Sequence, residues 1–115
     1  MLTREQFEKI IKLVRDVEID SYQLAVEHCE GYSYDGIEAA KKDLDKSKAK
    51  LVQYLEMIRW TEKQMFLMKL IEEYANAVSD YEYSARERGT AFAKEEMKIM
   101  VDAHTKLQNF IENVI

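Results

Sequence analysis

The chain has no proline and only three glycines, Gly31, Gly36 and Gly89, among its 115 residues. Proteins built of strands need many turns, and turns draw heavily on these two residue types. Their scarcity therefore predicts an all-helical protein with few, short connections between long helices. Because 115 residues suit one domain that can bury a core without disulfides or a metal, we expect residues 1–115 to form a single domain.

The chain also lacks the features of several functional classes. Cys29 is its single cysteine, so no intramolecular disulfide can form, which fits a reducing compartment. The N-terminus carries no apolar signal segment, and the longest apolar run, residues 65–68, is far too short to span a bilayer. The net charge is −5, without the basic stripe that is typical of nucleic-acid binding. We therefore expect a cytoplasmic protein that binds neither membranes nor nucleic acid.

The first strong helix pattern lies at the N-terminus. Thr3 and Gln6 have the spacing of a capping box, and Leu2 and Phe7 stand in the positions of a hydrophobic staple. Apolar residues then recur at helical spacing until Gly31, which is a natural left-handed C-terminal stop. The predicted stripe consists of Phe7, Ile10, Ile11, Val14, Val17, Leu24 and Ala25, with Ser21 and His28 on the same face.

Three further stripes complete the helical pattern. A loop is predicted at residues 31–36, and Asp35 is expected to cap the helix that follows it. Gly89 is expected to end a later helix. The fourth and last stripe follows it and consists of Met97, Met100, Ala103, His104, Leu107, Phe110, Ile111 and Val114. The second stripe consists of Ile37, Ala40, Leu44, Leu51, Tyr54, Leu55 and Ile58, and the third of Leu67, Leu70, Ile71, Tyr74, Val78, Tyr81 and Ala85.

The middle of the chain is open to two interpretations. Thr61 and Gln64 could form a second capping box, with Trp60 and Met65 as its staple, which predicts a break and a four-helix bundle. However, no glycine or proline separates this stretch from the preceding helix. Residues 36–88 could then form one helix of about 80 Å, at a rise of roughly 1.5 Å per residue. Such a helix would need a second chain to cover it, as in an intertwined dimer.

The stretch from Met65 to Ile71 is apolar almost all round. A segment of this kind needs neighbours on more than one side. Under either interpretation we therefore expect a homodimer, with Trp60, Met65 and Phe66 at the seam between hairpins or subunits.

The two halves of the chain look alike, which predicts an internal duplication into two helical hairpins, residues 1–59 and 60–115. The stripe residues fall in register, because Leu44, Leu51 and Ile58 align with Met100, Leu107 and Val114. The period is longer than those of the common helical solenoids. The most similar segments are residues 10–14 (IIKLV) with 67–71 (LMKLI), and residues 50–56 (KLVQYLE) with 106–112 (KLQNFIE).

No catalytic, metal or cofactor motif is complete in the sequence. Ferritin-like bundles place Glu three residues before His, and neither His28 nor His104 has a Glu there. Helical nucleotide pyrophosphohydrolases hold Mg²⁺ with paired carboxylates one turn apart. Glu27 and Glu30 have that spacing, but the partner pattern Glu-x-x-Asp is absent. We expect no metal, no cofactor and no catalytic residue, and a metal-dependent nucleotide phosphohydrolase is the enzyme alternative.

One group of residues could form a binding site at the ends of the hairpins. If both hairpins point the same way, the loops at Gly31 and Gly89 share one end of the bundle. Aromatic and arginine side chains would gather there and could bind an anion or an acidic segment of a partner. The simpler interpretation is two ordinary loops, with arginines complementing a helix C-terminus. The residues concerned are His28, Tyr32, Tyr34, Tyr83, Arg86 and Arg88.

The opening segment, residues 2–12 (LTREQFEKIIK), resembles an uncharacterised all-helical protein of a hyperthermophilic archaeon. The resemblance covers the whole chain and implies no activity, and a charged fraction of 34% is compatible with a thermophile. We interpret the protein as a structural or protein-interaction module that works by presenting a surface to another protein. A small-ligand-binding bundle is a further alternative.

Overall fold

Four α-helices form nearly all of the computed structural model, which describes residues 2–30 and 34–113. The helices are α1 (Arg4–Glu30), α2 (Tyr34–Met57), α3 (Gln64–Arg88) and α4 (Lys94–Asn113), with a 3₁₀ turn at Thr90–Phe92. The described residues contain no strand. The all-helical prediction is therefore confirmed, as a bundle of two helical hairpins, α1 with α2 and α3 with α4.

α1 begins at the capping box that its sequence predicts. The backbone N–H of Gln6 donates to Oγ1 of Thr3 at 3.1 Å, and the N–H of Thr3 donates to Oε1 of Gln6 at 3.0 Å. Leu2 and Phe7, the predicted staple, both pack against the core. This reciprocal pair satisfies N–H groups that have no partner within the helix itself.

A Schellman turn ends α2 and breaks the chain in the middle, although no glycine or proline stands there. Arg59 adopts the left-handed conformation, with φ 58°, that glycine usually takes at this position. The N–H of Arg59 donates to the carbonyl of Glu56, and the N–H of Trp60 donates to the carbonyl of Leu55. The single long helix over residues 36–88 is therefore wrong, and the homodimer stays a prediction.

The second Thr-x-x-Gln pattern does not cap α3. Lys63 stands at the N-cap position and makes no side-chain capping hydrogen bond. Residues 62–63 form a turn, so α3 begins two residues later than a cap at Thr61 requires. Met65 is 86% exposed and so does not form the predicted staple with Trp60.

The other predicted helix boundaries have mixed outcomes. α2 begins at Tyr34, so Asp35 lies inside the first turn instead of capping it, where its charge still complements the helix dipole. Residues 34–36 of the predicted loop are therefore helical, and residues 31–33 lie outside the described part of the chain. α3 ends where predicted, because Arg88 is its last residue and Gly89, with φ 87°, is its C-cap.

The two hairpins lie side by side and point the same way. Tyr22, late in α1, is hydrogen-bonded to Glu82, late in α3. Ile10, early in α1, lines a small cavity together with Leu67, early in α3. α1 and α3 therefore run parallel through the middle of the bundle, with α2 packed on α1 and α4 packed on α3. The bundle measures 46 × 31 × 20 Å.

The core follows α1 and α3 and continues onto the inner faces of the two flanking helices. All of its largest fully buried side chains stand on the apolar stripes that the helical spacing of the sequence predicts. Each such side chain stabilises the fold by about 1.5–3 kcal/mol relative to leaving it exposed. Within residues 2–30 and 34–113, no helix is both long and apolar enough to cross a bilayer. The fully buried side chains are Val14, Val17, Leu51, Leu55, Leu67, Ile71, Val78 and Leu107.

Candidate functional site

An open groove lies where α1, α3 and α4 meet, beside the core. Its volume is about 660 Å³, which is within the range of small-ligand sites. Because α1 belongs to one hairpin and α3 and α4 belong to the other, both hairpins contribute to the groove. Its lining consists of Arg15, Glu18, Ile19, Tyr22 and Gln23 from α1, Tyr74 from α3, and His104, Gln108 and Glu112 from α4.

Glu18 and His104 form the polar centre of the groove and link the two hairpins. Nδ1 of His104 lies 2.6 Å from Oε2 of Glu18, which is short enough for a charge-assisted hydrogen bond. When Glu18 is ionised, the Nδ1–H group of His104 donates to it. Glu18 is only 6% exposed, whereas the side chain of His104 is half-exposed. The pair therefore holds a nearly buried carboxyl group at the edge of the core.

Burial dominates the electrostatics of Glu18. It raises the pKa of the Glu18 carboxyl group, and the hydrogen bond and charge of His104, together with the charge of Arg15, offset this effect only in part. The second carboxyl oxygen, Oε1, is buried and has no hydrogen-bond partner in the described part of the chain. A buried polar atom without a partner costs free energy of folding. Glu18 is therefore an unfavourable group for stability.

Two tyrosines give the groove its aromatic surface. The ring centroid of Tyr74 lies 5.8 Å from that of His104, with the planes tilted by 52°. Burial and the charge of Glu18 raise the pKa of Tyr74. A hydrogen bond to Glu82, together with burial, raises the pKa of Tyr22 to about 12. Both phenols stay protonated at neutral pH, where Tyr22 already donates its hydroxyl to Glu82 and Tyr74 can act as a hydrogen-bond donor.

The sequence places Tyr74 and His104 only on helical stripes, and it does not identify Glu18 as a site residue. The pattern that could have identified Glu18 is its position. It stands four residues after Val14 and three before Ser21, both of which are buried, so on a helix it faces the core. An acidic residue is rarely fully buried unless it is paired, and perturbed carboxyl groups collect at functional sites.

The predicted hairpin-end site falls on the C-terminal ends of α1 and α3, which share one end of the bundle. His28 is exposed near the end of α1, and Tyr83 is exposed near the end of α3. Tyr32 lies outside the described residues, and so does the side chain of Tyr34. The helix ends thus come together as the prediction requires, while a binding site that includes these tyrosines stays a prediction.

The two arginines at this end have acidic partners. Nε of Arg86 lies 3.3 Å from Oε2 of Glu82. Nη2 of Arg88 donates to Oε1 of Glu96 at 2.8 Å and to Oγ of Ser84 at 3.0 Å. An anion would have to compete with these carboxylates, so anion binding here is a prediction that the geometry does not favour.

The predicted seam residues occupy three different environments. Trp60 is partly buried against the core, at a small cavity that residues of both hairpins line. Met65 extends into solvent. Phe66 is 52% exposed, and its ring centroid lies 5.0 Å from that of Phe110. The apolar stretch after Trp60 is therefore not covered on all sides within one chain.

The described side chains form no candidate metal site. Among residues 2–28 and 35–113, no three His, Cys, Asp or Glu side chains lie close enough together to hold a metal ion. The metal-dependent phosphohydrolase alternative therefore gains no support from this geometry, and it stays untested.

The family match covers the chain in two segments, which correspond to the two hairpins. The chain belongs to DUF7438, a family of unknown function, whose model matches residues 2–58 and residues 61–114. These two segments coincide with the hairpins α1–α2 and α3–α4. An uncharacterised 7.6 kDa protein of Enterobacteria phage T4, from the mobD–ri intergenic region, is 93% identical over 60 residues. Those residues are 52% of this chain and 94% of that protein. No solved structure matches the chain.

The resemblance to a protein of a hyperthermophilic archaeon is wrong. The 93% identical relative is a bacteriophage protein. The segment over residues 2–12 combines a capping box, a staple and an amphipathic stripe, all of which any well-capped helix can share. Such a short segment reports how a helix begins and carries no information about the source of the chain.

Proposed function

We propose that this protein is a cytoplasmic interaction module that binds a partner in the groove between α1, α3 and α4. The observation that carries the proposal is Glu18, a nearly buried carboxyl group with one oxygen unpartnered among the described residues. A group that is unfavourable for folding points to a role in binding. Ile19 and Tyr22, both exposed beside it, add apolar contact surface.

We also propose that the scaffold arose by duplication of one hairpin. The two matched segments of the family model support this origin. The pattern of burial supports it as well, because the buried positions repeat in the register of the two aligned segments. In each pair both side chains are buried: Ile10 and Leu67, Leu13 and Leu70, Val14 and Ile71, Leu51 and Leu107, and Leu55 and Ile111.

The polar residues of the groove do not follow this repeat. If only folding constrained the sequence, both hairpins would be constrained alike, as their matched buried positions are. The polar groove residues differ from their equivalents in the other hairpin, so folding does not explain them, and this difference supports a binding role for the groove. In the register of the aligned segments, the positions equivalent to Glu18, Tyr74 and His104 hold Ala75, Val17 and Lys48.

We propose that the apolar surface beside the α2–α3 turn binds a second copy of the chain. Met57 and Met65 flank this turn and are largely exposed, and Phe66 follows them. Sedimentation velocity at increasing concentration tests the proposal. We expect a shift from monomer to dimer that the double variant Met65→Lys, Phe66→Lys abolishes. A wild-type monomer at the highest concentration would remove the homodimer.

Affinity capture from T4-infected enterobacterial cells tests the binding function of the groove. We expect a protein that is retained by the wild type and lost with Tyr74→Ala and with His104→Ala. Phe92→Ala is the matched control, because Phe92 is an exposed aromatic residue that neither lines the groove nor belongs to the predicted hairpin-end site. The captured protein is then purified and its binding to each variant measured. Equal binding by all variants would place the interaction away from the groove.

A further inference from the structure

The unpartnered oxygen of Glu18 indicates what kind of group the groove lacks. A carboxylate only accepts hydrogen bonds, and His104 already occupies Oε2. Arg15 adds its charge but no hydrogen bond to Glu18 in the described part of the chain. Oγ of Ser21, three residues further along α1, is likewise buried and without a hydrogen-bond partner in the described part of the chain, so with the side chains as they stand Oε1 takes a hydrogen bond only from an N–H or O–H donor outside the chain. Because Oε1 has almost no surface open to the groove, a ligand that supplies this donor would have to draw the carboxyl group toward the groove, and it would relieve the unfavourable burial of Glu18.

The charges that line the groove favour a cationic donor over a neutral one. Glu18 and Glu112 carry two negative charges, and Arg15 carries one positive charge, so the lining has a net charge of −1 when His104 is neutral. A cation would oppose this charge and would bind an ionised carboxylate more strongly than a neutral donor does.

The aromatic surface of the groove suits the same kind of ligand. The face of a tyrosine ring attracts an ammonium or guanidinium group within about 6 Å of its centroid. The scaffold already contains one such contact, because Nζ of Lys9 lies 5.0 Å from the ring centroid of Tyr54. Tyr74, which lines the groove close to His104, can offer a similar face to a ligand.

We propose that the groove accepts a lysine or arginine side chain of the partner, with Glu18 as its carboxylate acceptor and Tyr74 as its aromatic wall. This inference rests on the proposed function and specifies the chemistry of the partner. Ile19 would contact the aliphatic part of the same side chain, since lysine and arginine carry their charge on an apolar stem.

Titration followed by ¹H–¹⁵N NMR tests the inference with three probes. These are the N-acetyl methylamides of lysine, arginine and norleucine, the last being a neutral analogue of similar length. We expect the two cationic probes to shift the backbone amides of Glu18, Tyr74 and His104, and to bind about tenfold more tightly than the norleucine probe. Glu18→Gln is expected to remove this preference. Glu5→Gln, which changes an exposed carboxylate outside the groove, is expected to keep it.

The possible outcomes separate this inference from the proposed function. If the norleucine probe shifts the same amides with equal affinity, the groove remains a binding site and the cationic partner is overturned. If Glu18→Gln keeps the preference, Glu18 is not the acceptor. The wild-type comparison of the probes is informative even if this variant does not fold. If no probe shifts the groove amides, the inference fails, while the capture experiment tests the proposed function independently.

Discussion

In the first hairpin, Nζ of Lys9 lies over the ring of Tyr54, 5.0 Å from its centroid. In the second hairpin, the ring of Phe66 lies against that of Phe110, with the same 5.0 Å between centroids. Under the proposed duplication, these two pairs occupy equivalent positions. Each pair joins the two helices of its hairpin, while the chemistry changes from a cation on a ring to two rings. The scaffold thus fixes where side chains meet and leaves their identity free to differ.

The interior of the two hairpins differs much less than their surface. Leu51 and Leu107 are both fully buried in equivalent positions. The polar groove residues, in contrast, differ from the residues at equivalent positions. Ala75, Val17 and Lys48 stand where Glu18, Tyr74 and His104 would be expected. Residues buried at equivalent positions in both hairpins thus serve the fold, whereas the groove residues are those for which we propose a binding role.

The largest effect is expected from the matched core. Leu51→Ala and Leu107→Ala should each lower the free energy of unfolding by roughly 2–5 kcal/mol, because both leave a cavity in a close-packed interior. The two losses should be similar, since the two sites are equally buried. Urea denaturation followed by circular dichroism measures both. A loss in only one variant would show that the two hairpins do not share a common core design.

A smaller effect is expected where the same sequence pattern has two structural outcomes. Thr3→Ala removes a capping hydrogen bond and should cost about 1 kcal/mol. Thr61→Ala should change stability by less than about 0.5 kcal/mol, which is the range of ordinary surface substitutions, because Lys63 rather than Thr61 stands at the N-cap of α3. Thermal unfolding of both variants gives the comparison. Equal losses would mean that α3 does use Thr61 as a cap in solution.

The smallest effect is expected from exchanging chemistry between equivalent surface positions. Phe66→Lys should alter the free energy of unfolding by less than about 1 kcal/mol, because the half-exposed ring gives way to a cation that can lie over Phe110. Urea denaturation at low protein concentration isolates this effect from self-association. A loss of several kcal/mol would show that Phe66 belongs to the core of one chain.

Local sequence patterns predicted most of the fold. The stripes that contain Val14 and Leu107 identified the core, because helical spacing alone decides which face is buried. The turn at Arg59 could not be predicted, since a left-handed arginine has no distinctive sequence pattern. Its conformation costs roughly 1–2 kcal/mol. Trp60, which follows it, packs on the core and helps to offset that cost.

The candidate site could not be predicted from the sequence, for a different reason. Glu18 and His104 are 86 residues apart and meet only because α4 packs on α3, which lies beside α1. No periodicity within one helix reports such a contact. The buried position of Glu18 on its helix could be predicted, but its partner could not.

We propose that Glu18 serves binding and not folding, and the stability of Glu18→Gln at different pH values tests this most directly. Burial raises the pKa of Glu18 in the folded state, so the stability that its protonated form contributes is full below its ordinary pKa of 4.5. That contribution is lost as the pH rises through the raised folded-state pKa. Urea denaturation from pH 4 to pH 8 should therefore show the wild type losing stability relative to Glu18→Gln as the pH rises, with the variant at least as stable at pH 7. A variant that is markedly less stable at pH 7 would show that ionised Glu18 holds the hairpins together, and would contradict the account.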